Sequence, residues 1–146
     1  MALLHFDTKD VKVNPLVETF SNRVKPPELK ELLRRVMTEQ GFYDGIALDH
    51  PESQHMMAGV GKLDPEAGIP PSERPIPWDE VIYVIEGDMI GISEGKSYTA
   101  HAGECFFVSA GTPLAWSSET GCTVLYVTYP HWWKAIEDAY AAGMLG

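Results

Sequence analysis

The chain has 146 residues, of which 45% are hydrophobic and 22% charged, proportions that exclude wholesale disorder, a collagen-like repeat and a disulfide-dense miniprotein. Its length suits one compact domain. Eleven Lys/Arg against 21 Asp/Glu give a net charge of -10, which repels phosphate backbones and anionic lipid, so neither nucleic acid nor a membrane is an expected partner.

The acidity is uneven. Residues 1–40 carry seven Lys/Arg and six Asp/Glu, whereas residues 41–146 carry four and fifteen, and all 13 glycines fall at or after Gly41. Glycine supplies the left-handed backbone of tight turns. One domain is therefore expected in two parts: an N-terminal arm and helix over 1–40, and a β barrel with a terminal helix over 41–146. The opening MALLHFDTKD has no basic run ahead of a long apolar one, and no stretch approaches the ~18 apolar residues of a membrane span, so a cytoplasmic protein is expected. The mixed pattern of residues 3–22 reads as an arm that pairs with a partner subunit or with the barrel wall. Pro26-Pro27 followed by ELKELLRRVMTEQ predicts a helix over 27–40, with proline in the first turn, one stripe of Leu29, Leu32, Leu33 and Val36, and Gly41 as the stop.

From residue 54 short β-prone runs alternate with turn signals: QHMMAGVGKL, WDEVIYVIEG, DMIGISEGKSYTAHAGE, CFFVSAGTPLAWSSETG and CTVLYVTYP. This pattern predicts an all-β sandwich or barrel, with hairpin tips at SEGKS and SSETGC. The tail HWWKAIEDAYAAGML has helical spacing and predicts a terminal helix, with Trp132 and Trp133 as packing residues. Cys105 and Cys122 show no metal-ligand spacing and read as two reduced, buried thiols.

Within these runs, Glu80 and Gly87 enclose six residues in EVIYVIEG, and Gly103, ECFFV and Ser109-Ala110-Gly111 follow a second recurrent spacing. Both resemble the two motifs of the cupin superfamily, which implies a jelly-roll barrel with a ligand site inside it. In that superfamily an HxH pair precedes the glutamate and a histidine follows the second motif. Here those places fall near residues 73–76, which read Glu73, Arg74, Pro75 and Ile76, and at Leu114. Of four usual metal ligands only Glu80 remains, and one carboxylate does not hold a transition metal. The chain is similar to the branch that lacks these histidines, the ethanolamine-utilisation EutQ proteins and related small cupins. The similarity lies in MMAGVGK, WDEVIYVIEG, AGECFFVSAGTP and LYVTYPHWW. It implies a pocket more than a reaction, and the superfamily's habit of pairing through sheets implies a homodimer.

Strand alternation places Glu80, Ile82 and Val84 on one face and Val81, Tyr83 and Ile85 on the other. On the motif match the Glu80 face points into the barrel, where desolvation raises a carboxyl pKa and suits it to acid/base work near neutrality. Tyr126 and Thr128 share a face of the last strand, with Tyr129 outward, and Trp116 shares the facing of Leu114. His55 is placed on the first barrel strand, within reach of Glu80 across the cavity. Glu80, Tyr126 and His55 are thus the catalytic candidates, and Arg74, Trp78, Trp116 and Thr128 the substrate-binding ones. Arg74 offers a planar donor for an anion, and Trp116 offers a face for a sugar or an apolar cap.

The expected function is a small-molecule enzyme working by proton transfer, of isomerase, epimerase, dehydratase or lyase type. It needs no cofactor and acts on a small polar or anionic metabolite. Alternatives are a non-catalytic binding or accessory cupin and a divalent-metal site of unusual make-up from Glu73, Glu80 and His55. Acetate phosphorylation, implied by the EutQ resemblance, has no Gly-rich phosphate loop in this sequence to support it.

Overall fold

In the computed structural model, residues 3, 5, 14–15, 27–31, 42–47, 55–65, 73–130 and 132–143 are described. Their strands are β1 (Asn14–Pro15), β2 (Phe42–Ala47), β3 (Met57–Leu63), β4 (Arg74–Pro75), β5 (Asp79–Ser93), β6 (Lys96–His101), β7 (Cys105–Val108), β8 (Pro113–Ser117) and β9 (Cys122–Tyr129). Residues 27–31 form the helical segment α1, and Trp132–Ala141 form α2.

The 15-residue β5 organises the barrel. Its first half pairs with β9, from Asp79↔Tyr129 to Gly87↔Cys122, and with β7, from Glu80↔Val108 to Tyr83↔Cys105. Its second half leaves those neighbours and pairs with β6 and β8. One sheet thus runs β1-β2-β3-β9-β5-β7 and the other β6-β5-β8-β4, with every pairing antiparallel. A bulge between Val84 and Glu86 lies at the changeover, as expected where a strand bends to join a second sheet. The result is the all-β, cupin-type jelly roll that the motifs imply.

Local chemistry accounts for the connections. Between β5 and β6 the turn residues Glu94 and Gly95 have φ of 52° and 74°, and Ser93 pairs with Lys96. This is the two-residue turn whose twist suits a hairpin, and it is the tip expected at SEGKS. The tip expected at SSETGC is different: β8 pairs with β5 and β4, and β9 with β3 and β5, so residues 118–121 cross between sheets. Asp88 at the changeover holds this crossing. Its carboxylate accepts from the backbone N–H of Glu119 (3.1 Å) and Thr120 (3.0 Å) and from the Thr120 hydroxyl, while Ser118 Oγ donates to the Asp88 carbonyl at 2.6 Å. Burial works against the Asp88 charge, but these hydrogen bonds and nearby His101 outweigh it and hold the carboxyl below its ordinary range.

The core draws on both sheets: Met57, Leu63, Ile82, Val84, Met89, Ala100, Cys122, Val124 and Tyr126 form one cluster. Leu29 of α1 is fully buried in it, so the predicted helix docks on the barrel; its expected continuation to residue 40 lies outside the described residues. In α2, Ala135 and Ala139 are buried one helical turn apart, and Tyr140 packs against the core. The side chains of Trp132 and Trp133 lie outside the described residues. Cys122 is buried as expected, but Cys105 is exposed, because alternation on β7 turns Phe106 and Val108 inward and Cys105 and Phe107 outward. No described helix is long and apolar enough to cross a membrane.

Candidate functional site

Glu80 is 9% exposed, on the barrel side of β5. Its register partners are Val108 on β7 and Thr128 on β9, and the next inward pair is Ile82 with Tyr126. Directly opposed side chains on one face are neighbours, so the carboxyl is enclosed by apolar groups and a threonine. Trp78 Nε1 donates to Glu80 Oε2 at 3.1 Å. Burial raises the carboxyl pKa to about 7 against the lowering effect of that indole hydrogen bond. Near neutral pH Glu80 therefore exchanges between acid and base forms, the property a proton-transfer group requires.

Thr128 beside it is 1% exposed, and its hydroxyl is buried without a hydrogen-bond partner. A buried polar atom left unpaired is costly. Here it lies opposite a carboxyl that is itself half protonated at neutrality, so the two groups form a polar spot on the inward faces of β5 and β9. Tyr126, 4% exposed, completes the inward face of β9.

Adjacent to this spot lies a cleft of about 340 Å³, whose walls include Gly91, Ser93, Phe106, Val108, Leu114 and Trp116. Glu80 is paired with Val108 and sits beside the cleft rather than in its wall. Phe106 and Trp116 pack with centroids 5.3 Å apart and planes inclined at 56°.

The other expected residues are distributed as follows. His55 is exposed and lies in the bend that precedes β3 rather than on the expected strand. Its place before Met57, whose partner is Thr128, puts it beyond the end of the pairing. Arg74 is on β4, paired with Leu114 of β8, so the two places where the superfamily carries histidines are adjacent in this fold. The Arg74 side chain lies outside the described residues. Glu73 accepts weak hydrogen bonds from Gly95 N at the β5–β6 tip, 3.3 and 3.4 Å. Glu73, Glu80 and His55 therefore do not converge, and no cluster of three His, Cys, Asp or Glu suited to a metal occurs among the described residues. With Leu114 buried and apolar at one ligand place, the residues present do not fit the superfamily's metal.

Structure thus groups Glu80 with Trp78, Thr128 and Tyr126, and Trp116 with the cleft. Sequence reasoning missed Phe106, Val108 and Gly91. Alternation within CFFV carried the signal for the first two, and a glycine inside an otherwise β-branched strand is a sign of close approach.

The family model described as ethanolamine utilisation protein EutQ matches residues 48–135. A protein of Clostridioides difficile (strain 630) described as acetate kinase EutQ is 36% identical over 58 residues, which are 40% of this chain and 37% of that protein. The chain thus matches little more than a third of that relative's length. The structure of the Clostridium difficile EutQ protein superposes with a TM-score of 0.54 at 27% identity, over 61% of this chain and 68% of that one. The polyketide cyclase RemF from Streptomyces resistomycificus reaches a TM-score of 0.62 at 20% identity, over 88% and 80% of the two chains, and shares the fold.

Proposed function

Since this chain belongs to the ethanolamine utilisation protein EutQ family, built on the cupin barrel, we propose that its barrel binds a small metabolite and that Glu80 moves a proton on it. One observation carries this reading: a buried carboxyl with a pKa of about 7 on the barrel side of β5. Such a group accepts a proton from a carbon next to a carbonyl and returns it elsewhere, the step common to isomerases, epimerases and many lyases. The Trp78 N–H holds one carboxyl oxygen and leaves the other to meet substrate. The unpartnered Thr128 hydroxyl supplies a hydrogen bond for a substrate oxygen at the neighbouring register position, and Tyr126 lines the same face.

The test is hydrogen exchange in D2O. The protein is incubated with a panel of small 2-oxo and 3-oxo acids, ketoses and aryl ketones, and loss of the proton next to the carbonyl is followed by NMR. Exchange is expected for at least one compound, rising as the pH passes through about 7 and the base form appears. Glu80→Gln should lower it by roughly 100-fold or more. Exchange that survives Glu80→Gln sinks the reading. So does its absence across the panel while acetate and ATP yield acetyl phosphate, which is the activity named for the relatives.

A further inference from the structure

The cleft is a row of rings laid across a bare stretch of strand. Gly91 pairs with Tyr98 of β6 on one side and with Trp116 of β8 on the other, so a Tyr–Gly–Trp row crosses three strands. A Cβ on Gly91 would lie 3.0 Å from Trp116 Cζ3 and 3.4 Å from Phe106 Cε1. The missing side chain lets the indole and phenyl edges lie close over the strand. Tyr98 is 54% exposed, which leaves that side of the cleft open.

The polar groups of the cleft are hydroxyls. Ser93 Oγ donates to the Pro113 carbonyl at 2.6 Å, and Ser109 Oγ and Thr112 Oγ1 are 3.2 Å apart, hydrogen-bonded to each other near the exposed mouth. No described lining residue is charged, in a chain of net charge -10. Among the described lining residues an entering anion would lose its water and meet no cation. A flat ring would gain face contacts with Trp116 and Phe106 that a puckered, saturated ring makes poorly.

We propose that this cleft binds an uncharged, flat aromatic ring, stacked against Trp116 with its polar substituent at the Ser109–Thr112 mouth. The inference rests on reading the barrel interior as a binding site, but not on the chemistry of Glu80. It directs the search for a substrate toward phenols and aryl ketones and away from the anionic metabolites that Arg74 suggests from sequence.

Three bicyclic probes test it on the full chain by titration calorimetry and by the indole N–H signals: 2-naphthol (neutral, flat), 2-naphthoate (anionic, flat) and decahydro-2-naphthol (neutral, saturated). 2-Naphthol should bind about tenfold or more tightly than either other probe and shift the Trp116 indole signal. Trp116→Leu and Gly91→Ala should each weaken it by about tenfold, the second by pushing the indole off the strand. Trp116→Phe, which keeps a ring, should retain the order of the three probes even if another variant folds poorly. Proton exchange is read with Glu80→Gln and ring binding with Trp116→Leu, so loss of proton exchange and loss of ring binding are separable failures. Tighter binding of 2-naphthoate, equal binding of the saturated probe, or indifference to Trp116→Leu would each overturn the proposal.

Discussion

The two halves of β5 do opposite things with the same barrel interior. From Asp79 to Gly87 the strand is sealed between β7 and β9. Its inward side chains Glu80, Ile82 and Val84 are buried, and the polar groups there stay close to the protein's own apolar atoms. From Asp88 to Ser93 it lies between β6 and β8, Gly91 presents no side chain, and the space above holds the aromatic cleft. One half perturbs a titratable group by excluding water; the other leaves room for a ligand. A site for acid/base chemistry needs both, because a carboxyl is tuned by dry surroundings and a substrate still has to arrive beside it.

The largest effect is expected in the sealed half. Burial raises the Glu80 pKa from 4.5 to about 7, so the folded state holds this proton more tightly than the unfolded chain does. The stability that goes with the protonated carboxyl is complete below about pH 4.5 and is lost as the pH rises to about 7. Glu80→Gln removes the penalty of burying the charge. In urea melts it should match wild type near pH 4 and exceed it by up to about 3 kcal/mol at pH 8. A gap that stays constant with pH would mean Glu80 is not dry.

The junction between the halves comes next. Asp88→Asn removes the charge that receives the Glu119 and Thr120 donors and should lower stability by about 2 kcal/mol at pH 7. Because the folded-state pKa of Asp88 is depressed, its contribution is present above the ordinary carboxylate range and lost as the pH falls through the folded value. The difference between wild type and variant should therefore shrink in acid melts. A difference that does not shrink in acid would place the effect in shape rather than in charge. The smallest effect belongs to Thr128→Val, which replaces an unpartnered buried hydroxyl with a methyl. It should stabilise the protein by up to about 1 kcal/mol while weakening substrate exchange. Destabilisation would show that the hydroxyl is already satisfied in solution.

The same division marks how much the sequence reveals. Alternation along EVIYVIEG and CTVLYVTY groups Glu80 with Ile82 and Val84, and Tyr126 with Thr128, because both strands are regular there, and the resemblance to the cupin motif is what implies that the Glu80 face points inward. The alternation stops at Ile85. The bulge after Val84 inserts one residue and reverses parity, so Gly91 points inward although it is odd-numbered where Glu80 is even. No count from Glu80 could have placed it in the cleft with Trp116. His55 misled for a related reason: a β-prone run beginning at residue 54 does not reveal that pairing starts at Met57.

The sequence alone therefore determined what depends on neighbours along the chain: the strand periodicity, the Glu94-Gly95 turn and the apolar stripe that carries Leu29. Tertiary structure alone decided what depends on distant partners. The bulge arises from pairing β5 with β9, the crossing of residues 118–121 from their bonds to Asp88, the Glu80 pKa from dry packing, and the cleft from two rings meeting over a glycine on a third strand.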